Sequence, residues 1–361
     1  MAKLDKLLAF LKQNDGSDLH LASGIAPHLR AKGSLHAIQG ARAMGDAEMR
    51  ALMRELVSPK QWDEFEEHLE LDFAYGLQGV GRFRGNYFVQ ENGASAVFRL
   101  IPEQVKTLES LNMPAAVESF AHLRNGLVVV TGPTGSGKST TLAAIIDKIN
   151  ATYDKHILTI EDPVEFVHQP QRALITQREV GTHTKSFESA LRAALRENPD
   201  VILVGEMRGR EVELALAAAE MGALVFGTLH TNSAAKTIDR LIDIFPTDEQ
   251  EQIRMSLSEA LAGVVAQLLL PTADGRGRCA AIEILMKTSG LPNIIREGNT
   301  PQLLSMMQGG KAVGMQTMDD ALEALWRKGT VRAKDVLQRA SDKQRFEQMF
   351  KEAERDQLGS M

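Results

Sequence analysis

The segment Leu127–Ser139, LVVVTGPTGSGKS, joins an apolar run to a glycine-rich loop and decides the fold of the chain. From Gly132 onward it matches G-x-x-x-x-G-K-[ST], the pattern of a phosphate-binding loop. The glycines permit turns whose amides face phosphates, Lys138 supplies positive charge, and the hydroxyl of Ser139 suits Mg²⁺. The apolar residues predict a strand before the loop, and the helical spacing after it predicts a helix. We therefore predict a nucleotide site, whose residues are Gly132, Pro133, Thr134, Gly135, Ser136, Gly137, Lys138, Ser139 and Thr140.

Three further apolar runs of strand length end in polar residues that can take part in catalysis. They are His156–Ile160 before Glu161-Asp162, Val201–Val204 before Gly205-Glu206, and Leu224–Leu229 before His230. Alternating strands and helices from about residue 115 predict an α/β fold with a parallel sheet. In such a sheet, ligands bind beyond the carboxyl ends of the strands. We expect these polar residues to meet the phosphate loop at one edge of the sheet.

The acidic residues at the strand ends have two chemical uses beside a bound nucleotide. A carboxylate can hold a metal through water, or it can orient and deprotonate an attacking water molecule. Glu161 follows the second strand, and Glu206 stands where a Walker B strand ends in an acid. His230 is a candidate sensor of the γ-phosphate. The alternatives are a solvated acidic loop and a structural histidine.

Composition excludes several classes of protein. The 361 residues carry 41 basic and 47 acidic side chains, a formal charge of −6, whereas general nucleic-acid binders are usually basic. The longest apolar runs are far shorter than the ~20 residues of a membrane span. Cys279 is the single cysteine, which excludes an intrachain disulfide and a multi-thiolate metal site. We expect a cytoplasmic protein that does not bind nucleic acid.

The chain divides by pattern into three parts. Residues 1–100 form a first domain, with a helix in Ala47–Val57 and a hairpin in Val80–Leu100 that turns at Glu91-Asn92-Gly93. Residues 101–114 are bracketed by prolines, and we interpret this segment as a linker between the two domains. Residues 115–361 form the α/β domain, which we expect to be mainly helical after about residue 250.

The four strand-end motifs resemble those of the secretion-superfamily ATPases. GPTGSGKST, ILTIEDPVEFVH, NPDVILVGEMR and GTLHTNSAAKTIDR are similar to their Walker A, Asp-box, Walker B and His-box elements, and most similar to those of the PilT family of type IV pilus retraction ATPases. GSDLHL, GRFRGNYF, VFRLIP and GMQTMDDAL extend the resemblance over nearly the whole chain. It implies an N-terminal PAS-like domain, a RecA-like P-loop ATPase domain and a hexameric ring. It also implies ATP hydrolysis that drives pilus retraction and twitching motility.

The resemblance assigns roles to individual residues. Lys138 and Ser139 would bind phosphate and Mg²⁺, Glu165 would be the catalytic base, and Glu206 would be the Walker B acid, which acts on Mg²⁺ partly through water. His230 would be the His-box histidine. The implied cofactors are ATP and Mg²⁺. The implied partners are further copies of the chain in a homohexamer, a PilC-like platform protein of the inner membrane and a second retraction ATPase.

Three arginines in the first domain are candidates for contact with the nucleotide of a neighbouring subunit. Arg82, Arg84 and Arg99 are spaced along the predicted hairpin. Such residues are often solvated strand cations. In a ring ATPase, an arginine from one subunit can stabilise the transferring phosphoryl group in the next. The PilT resemblance implies this use without identifying which arginine contacts phosphate.

The sequence also departs from the family pattern. Its GLPNIIRE stretch matches AIRNLIRE, an element tied to retraction in the family, but has Gly290 and Pro292 in place of Ala and Arg. Val265–Arg278 resembles the accessory retraction ATPase PilU, so the PilT and PilU roles both stay open. Three alternatives remain beside retraction: a pilus-assembly or type II secretion ATPase, whose usual four-cysteine zinc element is missing, a RecA-like nucleic-acid motor, and a nucleotide-binding module without catalysis.

Overall fold

The computed structural model describes residues 3–31, 34–101 and 104–359, and it separates into two compact units. The first unit runs to Gln104 and includes Pro163–Val167, and the second comprises Val105–Asp162 and the chain from His168 onward. Pro102 and Glu103, which belong to the predicted linker, lie outside the described residues. No helix within those described ranges is long and apolar enough to cross a membrane.

The first unit contains a six-stranded antiparallel sheet with the strand order β3-β2-β1-β6-β5-β4. Its elements are α1 (Lys3–Gln13), β1 (Gly16–Ala22), β2 (Ile25–Ala31), β3 (Ser34–Ala37), α2 (Asp46–Arg54), α3 (Pro59–His68), β4 (Glu70–Leu77), β5 (Gly81–Gln90) and β6 (Gly93–Ile101). One face of the sheet packs on an apolar core that includes the edge-to-face aromatic rings of Phe73, Tyr87 and Phe98.

The predicted helix and hairpin of this unit are confirmed. Helix α2 buries Met49, Leu52 and Met53, which are spaced for one helical face. In the hairpin, Gln90 pairs with Gly93, so the turn consists of the two residues between them. Gly93 has a φ of +115°, in the region that favours glycine, and any Cβ there would overlap the side chain of Asp46.

The second unit is built on a seven-stranded mixed sheet with the order β13-β12-β7-β11-β10-β8-β9, in which only β13 runs antiparallel. Its strands and accompanying helices are α4 (Ala115–Ser119), β7 (Gly126–Thr131), α5 (Lys138–Thr152), β8 (His156–Glu161), β9 (Leu174–Glu179), α6 (Phe187–Ala194), β10 (Val201–Val204), α7 (Arg210–Glu220), β11 (Leu224–Leu229), α8 (Ala234–Asp243), α9 (Thr247–Ala260), β12 (Leu261–Pro271) and β13 (Arg278–Met286).

All four predicted strands are present, and they are hydrogen-bonded neighbours in the order β7-β11-β10-β8. Helices cover both faces of the sheet. Leu127 and Val129 of β7 pack in one core cluster with residues of α6 to α9, and Val128 and Val130 pack in a second cluster with residues of α4 and α5. This double burial explains why the strands are continuous apolar runs instead of alternating ones.

After residue 250 the chain contains the expected helices, but it also contains two strands that the sequence analysis did not predict. Strand β12 pairs with β7 in parallel, and β13 closes the edge of the sheet. A short apolar run of this kind fits a buried helix as well as a strand, so periodicity cannot distinguish the two. The remaining helices are α10 (Leu291–Arg296), α11 (Gln302–Gly309), α12 (Met318–Arg327), α13 (Ala333–Leu337) and α14 (Lys343–Gly359).

Candidate active site

The phosphate loop connects the end of β7 to the start of α5. Gly132, Gly135 and Gly137 have φ values of +146°, +77° and +91°, which favour glycine. Pro133 and Thr134 are exposed, as is Gly135, so the middle of the loop faces solvent. A loop of this kind at the N-terminus of a 15-residue helix offers backbone amides and a positive helix end to an anion.

Lys138 is the first residue of α5, and its side chain folds back over the loop. Its Nζ donates hydrogen bonds to the carbonyl oxygens of Gly132, at 2.8 Å, and Pro133, at 3.3 Å. Ser139 and Thr140 follow in the first turn and are half-buried. A cavity of about 650 Å³ adjoins Gly137 and Thr140 and gives a ligand room beside the loop.

Gln267 of β12 contacts the loop, and the sequence analysis did not identify it. The residue is 2% exposed. Its Nε2 donates to the carbonyl oxygen of Ser136 at 2.7 Å, and its Oε1 accepts from the hydroxyl of Thr141 at 2.8 Å. A signal was available, because Gln267 is the single polar residue in the β12 sequence LAGVVAQLLLP.

Glu206 and His230 come together at the ends of the adjacent strands β10 and β11. His230 Nε2 lies 3.1 Å from Glu206 Oε1, and Arg208 donates to Glu206 Oε2 at 2.6 Å. The hydrogen bond from Arg208 holds the pKa of Glu206 below its usual value, against the opposing effect of burial. Glu206 therefore stays ionised at neutral pH, as a metal-binding or water-orienting carboxylate must.

Hydroxyl groups tie the His-box segment to the strand that carries the phosphate loop. Thr131, the last residue of β7, donates to the carbonyl oxygen of Thr231 at 2.7 Å, and the two hydroxyls are 2.8 Å apart. The hydroxyl of Thr231 also lies 2.7 Å from that of Thr237 in α8. These bonds fix the residue next to His230 relative to the start of the loop.

A buried carboxylate, also missed from sequence, holds the helix that follows the His-box. Glu283 of β13 is 5% exposed and accepts hydrogen bonds from the backbone amides of Ala234, at 2.7 Å, and Met318, at 3.2 Å. These residues begin α8 and α12, so one side chain caps two helices. Burial raises the pKa of Glu283 despite these two bonds.

The two candidate carboxylates of the Asp-box are placed differently. Glu161 ends β8, and its Oε1 accepts from the hydroxyl of Thr159 at 2.7 Å and from Gln177 Nε2 at 3.3 Å. Glu165 is half-buried and lies in Pro163–Val167, the segment that belongs to the first compact unit. The second unit by itself therefore brings together the loop, Glu161, Glu206 and His230.

The arginine cluster lies on the predicted hairpin of the first unit. Arg84 and Arg99 are directly opposed in the β5–β6 ladder, and Arg82 precedes Arg84 by two residues on the same face. Arg99 Nε donates to Asp18 Oδ1 at 2.8 Å, whereas Arg84 Nε is 3.8 Å from Asp72 Oδ1. Burial acts to raise the pKa of Asp18, but hydrogen bonds from Arg99 and Ser17 outweigh it, so this pKa lies below its usual value.

Comparison with known proteins shows the family of the chain. The family model described as "Type II/IV secretion system protein" matches residues 77–355. The chain belongs to this family. Among its relatives in Pseudomonas aeruginosa, the type IV pilus retraction ATPase PilT is 48% identical over 344 residues, which cover 95% of this chain and 99% of PilT. The type IV pilus ATPase PilU of that organism is 39% identical over 363 residues, which cover 99% of this chain and 95% of PilU.

A solved structure of this secretion-ATPase family has the same fold. The crystal structure of the pilus retraction motor PilT with bound ADP superimposes with a TM-score of 0.89 at 42% identity, covering 96% of this chain and 100% of that one. The expected resemblance to the PilT-type secretion ATPases is confirmed, as is the α/β fold class.

Proposed function

We propose that this chain hydrolyses ATP to retract type IV pili and thereby drives twitching motility. The observation that carries the proposal is the position of a complete phosphate loop and the Glu206–His230 pair at the carboxyl ends of neighbouring strands of the second sheet. The chain is 48% identical to PilT of P. aeruginosa over 95% of its length. This similarity supports pilus retraction over the assembly and secretion alternatives.

The phosphate loop would hold the phosphates of the nucleotide, and Mg²⁺ would be the metal cofactor of the site. Lys138 would meet the phosphate oxygens, and Ser139 and Glu206 would hold the metal, Glu206 partly through water. The described residues contain no group of three or more His, Cys, Asp and Glu side chains arranged for a metal. A hydroxyl and one carboxylate fit Mg²⁺ beside a nucleotide, because this ion keeps several waters and takes phosphate oxygens as ligands. The metal would neutralise charge on the transferring phosphoryl group.

Hydrolysis needs a base and a group that responds to the γ-phosphate. Glu165 would accept the proton of the attacking water, with Glu161 as the alternative base. The hydrogen bonds that Glu161 accepts from Thr159 and Gln177 within its own unit favour a supporting role for it. His230, in contact with Glu206, would sense the γ-phosphate.

Assembly into a homohexameric ring would complete the site. Arg82, Arg84 and Arg99 would then reach a nucleotide bound by the neighbouring subunit. We assign residues 1–100 to a PAS-like domain, 101–114 to a linker and 115–361 to a RecA-like ATPase domain. The ring would work in the cytoplasm, against a PilC-like platform protein of the inner membrane, with a second retraction ATPase as a further partner.

Deletion of the gene tests the function in the cell. We expect mutant cells to carry abundant surface pili and to lose twitching, because pili would still be assembled and could not be withdrawn. Bald cells would instead indicate an assembly ATPase. Re-expression of the wild-type chain should restore twitching, and re-expression of Lys138→Ala should not.

An ATPase assay with and without added DNA separates the retraction motor from a nucleic-acid motor. We expect that DNA does not stimulate ATP hydrolysis by this chain.

A further inference from the structure

Strand β12 places one residue, Gln267, against both ends of the phosphate loop. In the sheet, Ala266 of β12 pairs with Thr131, the residue that precedes the loop, so Gln267 stands where the loop begins. A Cβ on Gly132 would overlap the carbonyl oxygen of Gln267, and one on Gly137 would lie 2.8 Å from its Nε2. The backbone of Gln267 thus leaves no room for a side chain at Gly132, and its side-chain amide packs against Gly137.

The two hydrogen bonds of Gln267 flank the residues that would meet phosphate and metal. One bond is accepted by the carbonyl of Ser136, and the other is donated by Thr141 in the first turn of α5. Because a trans peptide is planar, holding the Ser136 carbonyl toward β12 points the amide of Gly137 away from β12. Lys138 and Ser139 lie between the two anchored positions, which fixes the direction from which both side chains leave the backbone.

The loop needs an external constraint of this kind. It contains three glycines, each of which loses more conformational freedom on ordering than any other residue. A buried amide that lacked its partners would be costly, so Gln267 and the loop must keep their bonds together. Both partners of Gln267 lie in the loop or in the first turn of α5.

We propose that Gln267 is a positioning residue for nucleotide binding, which acts by holding the phosphate loop in its binding conformation before the nucleotide arrives. The inference rests on the proposed nucleotide site. Its function is preorganisation: bound phosphates would otherwise have to order the loop themselves. Loss of Gln267 therefore weakens nucleotide binding and raises KM. It changes kcat little, because at saturation the phosphates hold the loop in place.

Two substitutions of similar size separate this role from a change in charge. Gln267→Met removes both hydrogen bonds without adding charge. Gln267→Glu can accept from Thr141 when ionised, but it can donate to the Ser136 carbonyl only when protonated. We expect ADP, measured by titration calorimetry in Mg²⁺, to bind about tenfold more weakly to both variants at pH 8. The Gln267→Glu defect should shrink as the pH falls toward 5.5, and the Gln267→Met defect should not.

Gln316→Glu is the matched control. Gln316 also donates its amide to a backbone carbonyl, that of Ile282, but it lies on the approach to α12 and not in the loop. The Gln316→Glu variant should bind ADP as tightly as the wild type at both pH values. Thermal unfolding without nucleotide checks that each variant is folded, and KM and kcat for ATP are measured on the same preparations.

The outcomes distinguish the inference from the proposed site. If Gln267→Met binds ADP as tightly as the wild type, the positioning role is wrong, and a defect confined to Gln267→Glu reports charge repulsion alone. A fall in kcat at unchanged KM would equally overturn it. Should Gln267→Met not fold, Gln267→Leu takes its place, because it also removes both hydrogen bonds without adding charge, and unchanged ADP binding by that variant contradicts the proposal. Retained ADP binding by Lys138→Ala would instead refute the nucleotide site itself.

Discussion

Charged residues are positioned differently in two regions of the molecule. One region is the phosphate-loop edge of the second unit, and the other is the arginine hairpin of the first unit. In the second unit, strands β7, β10 and β11 are buried along their whole length, so Lys138, Glu206 and His230 stand beyond the strand ends. In the first unit, Arg84 and Arg99 project sideways from a sheet whose other face is buried. A parallel sheet covered on both faces leaves only its edge for chemistry, whereas an antiparallel sheet offers an open face.

The two regions also differ in what holds their charges. Glu206 is held by Arg208 and His230, and the phosphate loop is held by Gln267, all within the second unit. On the hairpin, the carboxylate of Asp18 anchors Arg99, and Arg84 has a longer contact with Asp72. The comparison teaches that the charged residues at the strand ends are held by one another within the second unit, whereas the hairpin arginines Arg84 and Arg99 stand on an open sheet face and pair with carboxylates of the first unit.

Lys138→Ala should have the largest effect, since it removes charge from the centre of the strand-end site. Two charge-assisted contacts to phosphate, at about 1.5–3 kcal/mol each, predict a loss of more than about 100-fold in kcat/KM for ATP. Lys148→Ala is the matched control on the same helix, because Lys148 pairs with Glu118 at 2.7 Å. Equal activity of the two folded variants would break the assignment of the loop.

Glu165→Gln should have the next largest effect. The variant should still bind the nucleotide, but it should hydrolyse ATP much more slowly. Removal of a general base typically slows the reaction by about 100-fold or more, while the amide keeps the size of the side chain. Single-turnover hydrolysis and ADP affinity should be measured together, with Glu161→Gln as the comparison. A normal rate for Glu165→Gln with a slow rate for Glu161→Gln would move the base to the end of β8.

Loss of the hairpin arginines should abolish ATP hydrolysis only when every subunit of the ring lacks them. A chain with Arg82, Arg84 and Arg99 replaced by Ala, and a second chain with Lys138→Ala, should each be nearly inactive. Their mixture should recover several-fold more ATPase activity than the sum of the two, because an intact arginine from one chain can complete the loop of the other. Mixtures that never exceed that sum, or a fully active monomer, would contradict a role between subunits.

Asp18→Asn should have the smallest effect and should act on stability. Asp18 is buried but Arg99 is largely exposed, which limits the loss to about 1 kcal/mol in the free energy of unfolding of the first unit. Because the pKa of Asp18 in the folded protein lies below the ordinary aspartate value of 3.8, this contribution is present above that pH and disappears as the pH falls through the folded pKa. In denaturant titrations, the difference in unfolding free energy between the wild type and Asp18→Asn should be complete at pH 7 and should shrink below about pH 4.

Asp72→Asn provides the comparison for that measurement. Asp72 is exposed and its oxygen is 3.8 Å from Arg84, so its replacement should leave stability unchanged within the error of the method. A loss as large as that of Asp18→Asn would mean that both carboxylates anchor the hairpin, and would remove the distinction between Arg84 and Arg99.

Much of the strand-end site could be predicted because its signals are local. Strands β10 and β11 have the bounds that their apolar runs predict, and the loop motif is contiguous from Gly132 to Ser139. The two-residue turn before Gly93 is equally local, since it depends on the positive φ of one glycine. In each case the residues that fix the conformation lie within a few positions of one another.

The sequence by itself determined the phosphate loop, the four parallel strands and the polar residues at their ends, because motif, burial and strand polarity are properties of short segments. Only the tertiary structure revealed that β12 and β13 join the sheet, since their apolar residues fit a helix or a strand until partners are known. It also revealed that Gln267 braces the loop and that Glu283 caps two helices. These contacts span 131, 49 and 35 residues of chain, so no local pattern specifies them.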